Sequence, residues 1–446
     1  MITTKRTFTT RRTVTGLCLT VVLGTVGALP AHAEPAAPTA PKPPWTERIN
    51  LTTDGAQTTD APSGPAVSAD GRYAAFATAR SLTGPDDTNN STDVYVRDLR
   101  RGTVERAGLQ DSGAGFADGT GAAQLSADGR YVLFAARLGS TDDGFTDRYY
   151  LRDRKTDRTE TVSLSDDDKP VHGDFSVQAR MSADGRYIAF ASRLKEHGDS
   201  AERTPYGVYV RDRKAGTTKL ISKAPAPGEK DLGYGVTGIE MSADGSRVTY
   251  GYTQFRPGYD RQVYAHDRRR GTTERLDVTP AGEDIAMTVP TLSGNGRKMA
   301  FSSWSGGLVP GDTNGQADVF LRDTRGGGIE RISLNARGEQ TEFESLNPRI
   351  SADGRHVLFH SWDTHLVEGE TARGTLFVRD LRTRTNQRVT VAHDGGESDW
   401  FDLPEAELSA HGGTVVFVTR GGNLIPDDTN GWWDAFVRHY GTGSRS

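Results

Sequence analysis

The chain has 446 residues, 35% hydrophobic and 8% aromatic, with 52 Gly, 20 Pro, one Cys and a formal charge of −5. A single cysteine excludes an intrachain disulfide framework and a cysteine-based zinc cluster. Glycine without a three-residue period excludes collagen, and the acid excess argues against nucleic acid as the main partner, because neutralising phosphates needs a basic face.

Residues 1–33 read as an export signal. Lys5, Arg6, Arg11 and Arg12 give a positive start, Val14 to Leu29 is small and apolar, and Ala31-His32-Ala33 has the form a signal peptidase cuts. The apolar run is too short and too rich in Gly and Thr to be a membrane span, and no other segment is long enough. Thr10-Arg11-Arg12-Thr13 leaves the route open between general and twin-arginine export. The leader holds Cys18, four positive charges and no acid, so its removal takes the formal charge from −5 to −9. Residues 34–45 (EPAAPTAPKPPW) read as an extended Pro/Ala-rich linker.

Everything from 46 to 440 is one repeat, followed by a short tail, 441–446. Three marks recur. The first is Ser-Ala-Asp-Gly-Arg, at Ser68, Ser126, Ser182, Ser242 (with Ser246 in place of Arg) and Ser351, with weaker forms at Ser293 and Ser409, 51 to 60 residues apart. The second is a strand ending in Arg-Asp: DVYVRD at 93–98, RYYLRD at 148–153, GVYVRD at 207–212, QVYAHD at 262–267, DVFLRD at 318–323, TLFVRD at 375–380 and DAFVRH at 434–439. The third, near Glu-Arg-x-x-Leu, has six copies after the first Ser-Ala-Asp-Gly and a seventh, ERINL at 47–51, ahead of every other element. The last unit stops at Tyr440 with no such strand behind it. An N-terminal strand that completes the last unit is the offset of a ring closed by both termini.

Each unit predicts four strands. The Asp-Gly and Asn-Gly pairs favour a tight two-residue hairpin between strands 1 and 2, and a short Gly turn joins strands 3 and 4. Four-stranded antiparallel sheets repeated radially are propeller blades. The expectation is therefore an all-β, seven-bladed β-propeller over residues 46–440.

Ser-x-Asp-Gly-Arg-Tyr-x-x-Phe followed by Val-Tyr-Val-Arg-Asp resembles the TolB-like, WD-related β-propeller repeat. The resemblance covers nearly the whole chain after the leader and implies exported protein–protein contacts. It does not extend to that family's separate N-terminal α/β domain.

The short turns share one face of the ring, so the long 2–3 and 4–1 connections share the other, where binding is expected. The 4–1 loops are acidic: Asp166, Asp167, Asp168, Glu229, Asp231, Glu283, Asp284, Glu339, Glu342, Glu344, Asp394, Glu397, Asp399 and Asp402. Phe175, Tyr234, Phe343, Trp400 and Phe401 lie among them. They read either as a solvated surface or as an acidic mouth for a cation, a basic partner or a sugar. Three 2–3 loops share a sharper pattern. Asp87, Asn89 and Asp93 recur as Asp312, Asn314 and Asp318, and as Asp428, Asn430 and Asp434. Oxygens at positions 1, 3 and 7 resemble part of a calcium loop; the same residues also make local Asx turns. His356, His360 and His365 cluster in the sixth unit, His360 at a place small elsewhere. No Gly-x-Ser-x-Gly elbow or His-Glu-x-x-His helix is present.

The expected function is a non-catalytic exported scaffold, a monomer, binding a protein or cell-envelope polymer on its long-loop face, with calcium as the one possible cofactor. The alternative is a carbohydrate-active lyase or hydrolase working with acidic or histidine side chains at the mouth.

Overall fold

A computed structural model describes residues 43–440 except 85–86, 88, 142–143, 172–176, 193–206, 223–233, 255–260, 280–281, 327, 369–374 and 401–402. The leader, most of the linker and the tail lie outside these residues, as do Glu229, Asp231, Phe175, Phe401 and Asp402.

Seven four-stranded antiparallel sheets follow one another along the chain. Blade 1 comprises Ser63–Val67, Tyr73–Thr78, Asp93–Asp98 and Thr103–Arg106. The strands of blades 2 to 6 occupy 120–161, 180–220, 234–275, 291–331 and 345–388. Blade 7 takes Glu405–Leu408, Thr414–Thr419 and Asp434–His439 from the C-terminal end, and Trp45–Arg48 from the N-terminal end. Trp45 pairs with His439 and Arg48 with Phe436. Within each blade, strand 1 is innermost.

The recurring motifs build the blades by local hydrogen bonding. In the first hairpin Ser68 Oγ donates to Asp70 Oδ1 (2.8 Å), the same carboxylate accepts the Arg72 N–H (3.0 Å), and Ser68 Oγ accepts the Tyr73 N–H (2.9 Å). Asn295 does this work in blade 5, taking the Ser293 hydroxyl at 3.1 Å and the Arg297 N–H at 3.0 Å. The hairpin glycines sit at φ between 64° and 71°. At Gly129 a Cβ would also come within 2.3 Å of the Tyr73 ring of the preceding blade, so the position requires glycine twice over.

Alternation sends strand side chains to the two faces of each blade, and the core is the set of contacts between successive blades. Seven hydrophobic clusters each join two neighbours; the one joining blade 7 to blade 1 contains Ile49, Phe76, Tyr95, Val416 and Val437. In each blade the strand-2 aromatic stands opposite the strand-3 aromatic, as Phe301 opposes Phe320 with ring centroids 5.7 Å apart.

At the axis the Ala of Ser-Ala-Asp-Gly links one blade to the next. Ala69 N–H donates to Ala127 O, Ala127 to Ala183 and Ala183 to Ala243, all at 2.7–2.9 Å. Asp244 and Gly294 carry the belt to Ala352, Asp353 carries it to Ala410, and Ala410 returns it to Ala69 at 3.1 Å. Gly294 replaces the alanine where a Cβ would stand 2.8 Å from the Ala352 carbonyl.

Candidate binding site on the axis

One position, two residues before the Ser of each hairpin motif, faces the axis in every blade. In chain order it holds Ala66, Gln124, Arg180, Glu240, Thr291, Arg349 and Glu407. Four charged side chains thus meet in one layer. Glu240 receives Arg180 through Nε and Nη2, both at 2.9 Å. Arg349 Nη1 lies 3.6 Å from Glu240, and its Nε donates to Glu407 at 3.2 Å. Arg180 Nη1 also donates to Gln178 (2.6 Å). Burial opposes the charge on Glu240, but Arg180 and then Arg349 hold its carboxyl below the ordinary range.

This layer divides the axial space. Towards the long-loop face lies a cavity of about 410 Å³. Its wall is the preceding inward layer, including Gln178, Asn347 and Glu405, together with His360 and Leu403. Towards the hairpin face lies a second space of about 280 Å³, lined by strand-1 residues of all seven blades and by the alanine belt. Asn347 is held left-handed (φ 50°) in a strand-1 bulge, and Glu405 accepts the Gly64 N–H at 2.7 Å. His360 is 3% exposed. Burial, reinforced by the Arg349 charge, lowers its pKa to about 4, so the ring is neutral at ordinary pH, and Nδ1 has no hydrogen-bond partner.

The sequence-predicted residues fall elsewhere. In each of the three Asp-x-Asn loops both carboxylates close on a buried arginine of strand 4. Arg106 lies 2.5 Å from Asp93 and 3.6 Å from Asp87. Arg331 lies 3.3 Å from both Asp312 and Asp318. Arg48, carried by the N-terminal strand, lies 2.6 Å from Asp428 and 3.3 Å from Asp434. The asparagines make Asx turns: Asn89, Asn314 and Asn430 each accept the N–H two residues on at 3.0 Å. Their Nδ2 groups donate to the Phe116, Thr341 and Thr58 carbonyls of the adjoining 4–1 loop. Among the described residues no group of three or more His, Cys, Asp or Glu converges as a metal site.

Part of the predicted acidic mouth lies at the outer edge of the ring. Asp166 accepts the Thr218 N–H of the next blade's outermost strand (2.9 Å), Asp168 pairs with Arg211, and Asp284 with Arg275 (2.7 Å). The axial carboxylates are instead Glu240, Glu405 and Glu407. The three histidines do not meet: His356 stands at the hairpin end, 3.8 Å from Asp380, His360 lines the cavity, and His365 is exposed beside Asp363.

No protein-family model matches the chain, and no curated protein does. Solved structures do. An oligogalacturonate lyase in complex with manganese aligns over 90% of this chain and 98% of its own, at 13% identity and TM-score 0.53. The β-propeller domain of the Trilobed protease from Pyrococcus furiosus, described as having an open velcro topology, aligns over 87% and 95% at 10% identity and TM-score 0.53. TolB from Acinetobacter baumannii also matches, over 78% and 76% at 15% identity and TM-score 0.37. These likenesses are of fold. The chain is a seven-bladed β-propeller, and its fold is like that of the oligogalacturonate lyase and of the protease's propeller domain.

Proposed function

We propose that this chain is an exported, non-catalytic propeller that binds a protein or cell-envelope polymer on its long-loop face, with the axial cavity as the seat. The observation that carries this reading is the cavity itself. It opens towards the variable loops, and its charged floor is drawn from one strand position in four blades and satisfied by internal pairing. A floor whose charges are paired with one another supports recognition, with Arg349 keeping donors to spare for a guest. The leader ending at Ala31-His32-Ala33 supports export.

A second reading, a carbohydrate-active lyase or hydrolase, is favoured by one specific feature. Glu405 and Glu407 stand two residues apart on one strand, about 7 Å along it, a separation compatible with paired-carboxylate glycoside chemistry. One experiment separates the two. The purified protein is immobilised and challenged with envelope fractions and polysaccharides, alongside Arg349→Ala and Glu405→Gln. The binding reading expects a retained component that both variants lose, with no new reducing ends or unsaturated products. Product formation that disappears in Glu405→Gln would replace it with the enzymatic reading.

A further inference from the structure

We infer that the axial cavity seats an uncharged, hydroxyl-rich guest, the end of a neutral oligosaccharide. The inference rests on the binding reading above and names its ligand class.

The charges around the cavity come close to cancelling. Arg180 and Arg349 face Glu240, Glu405 and Glu407 within one lining. A cationic guest would be brought against Arg349, and an anionic guest against three carboxylates; either arrangement sets like charges together in a partly dehydrated space. A hydroxyl both donates and accepts, and it finds both kinds of partner here. Arg349 commits only Nε to a hydrogen bond, at 3.2 Å to Glu407, and Asn347 is exposed on the bulge. Glu405 has one oxygen engaged by Gly64. The His360 ring, 3% exposed, bonds the Pro404 carbonyl while its Nδ1 is left without a partner, and that is the second and independent sign. A buried polar nitrogen without a partner costs stability unless something else supplies one; since the other ring nitrogen donates to the Pro404 carbonyl, Nδ1 is an acceptor that a hydroxyl can serve.

The surroundings fit the same guest. Among the described residues, the aromatic side chains exposed on the long-loop face lie on three consecutive blades, Trp304 (53%), Phe343 (52%), Trp400 (37%) and Trp432 (50%), with Leu403 (45%) beside them; blades 2 and 3 expose only the aliphatic Leu138 and Leu220 there. Leu403 is also part of the cavity wall, three residues from Trp400. Exposed aromatic surface of this kind marks a binding site, and flat aromatic faces complement the apolar C–H faces of pyranose rings. A cavity of about 410 Å³ falls in the range of small-molecule sites and suits the terminal residues of a chain whose remainder runs across the aromatic side.

The test is calorimetric titration of the purified protein with maltotriose, cellotriose and chitotriose, with trigalacturonate and trilysine as charged counterparts. At least one neutral trisaccharide is expected to bind. His360→Ala and Glu405→Ala should each weaken it about tenfold, the equivalent of one lost hydrogen bond, and Glu405→Ala should do so without moving the melting temperature. Glu405 is exposed, so its variant stays informative even if His360→Ala unsettles the blade 6–7 contact. If trigalacturonate or trilysine binds instead and the same variants abolish it, the seat stands and the ligand class falls. If a neutral sugar binds but neither variant weakens it, the seat itself falls. Failure of all three neutral sugars to bind at millimolar concentration overturns the inference.

Discussion

Asp93 and Arg106 are thirteen residues apart in blade 1, and Asp318 and Arg331 keep the same interval in blade 5. In blade 7 the same pair is made by Asp434 and Arg48, from opposite ends of the chain. The Asp and Arg occur together in these three blades. Where the strand-3 position is Gly207, Gln262 or Thr375, no such clamp forms at that position. In each clamp the guanidinium is a counter-charge to both carboxylates. Removing it leaves two buried carboxylates without their counter-charge, a loss of about 3–5 kcal/mol. Arg331→Ala is therefore expected to lower the melting temperature sharply. The triple variant Arg331→Met with Asp312→Asn and Asp318→Asn should recover most of that loss, because it removes charge and counter-charge together. Calcium or a chelator should leave the wild-type melt where it is; a calcium-dependent rise would return these loops to the role of metal site. Both halves of the clamp were visible in the sequence as separate marks, the Asp opening strand 3 and the Arg of strand 4. Their coupling was not visible, because an Asp-x-Asn spacing suits an Asx turn, a metal and an arginine equally well.

Strand 3 carries an aspartate at each end in blades 1 and 5, and the two ends titrate in opposite senses. At the long-loop end, burial outweighs the arginine and pushes Asp93 and Asp434 up to about 6, one guanidinium serving two buried carboxyls in each case. At the hairpin end the carboxylates are held low. The hydrogen bond from Arg130 takes Asp153 down to about 2, and Asp380 also falls to about 2, burial opposing and Arg355 prevailing. The consequences follow by linkage. Groups with depressed folded pKa values add stability as pH rises from about 2 towards the unfolded value near 4. Groups with raised values bind more protons folded than unfolded between about 4 and 6, so their contribution is lost as pH climbs through that window. Melting temperature should rise from pH 2 to 4 and fall from 4 to 6. In Asp93→Asn/Asp434→Asn the falling limb should flatten while the rising limb is unchanged; an unaltered fall would show that other groups cause it. The strands themselves were legible, since alternation and turn chemistry are local. So was the hairpin pair Arg72–Asp98, in the sense that both motifs were seen, although nothing local says that the Arg of one motif (Nη2 to Oδ2, 2.6 Å) meets the Asp of the other. Blade 7, which has Gly413 and His439 at these places, lacks both partners together.

At the scale of the whole molecule, closure decides what the axis contains. Arg180, Glu240, Arg349 and Glu407 lie up to 227 residues apart, and each alone looks like an ordinary polar position on an alternating strand. Only the ring turns that position into a layer, which is why reading the loops for function missed it. The signal was nonetheless available: count two residues back from each Ser of Ser-Ala-Asp-Gly and compare the seven. The ring closes at a seam in blade 7, where the N-terminal strand adds the edge partner of Asp434–His439, brings Arg48 to Asp428, and inserts Ile49 into the blade 7–1 core. Without it an unpaired strand edge is exposed, the arrangement that invites association between molecules. The seam can be locked. Thr46 pairs with Arg438 in the register, and Arg438 Nη1 donates to Thr46 Oγ1 at 2.9 Å. Antiparallel partners stand within the Cα separation a disulfide spans, and no cysteine follows Cys18 in the chain. Oxidised Thr46→Cys/Arg438→Cys should melt well above its reduced form, since the bond closes a loop of 392 residues. The chain-entropy limit for so long a loop is about 6 kcal/mol. The bond should form within one molecule, migrating as a monomer on non-reducing gels. A disulfide-linked dimer would mean that the strand completes blade 7 of a second copy, and the axial layer would then belong to a swapped assembly.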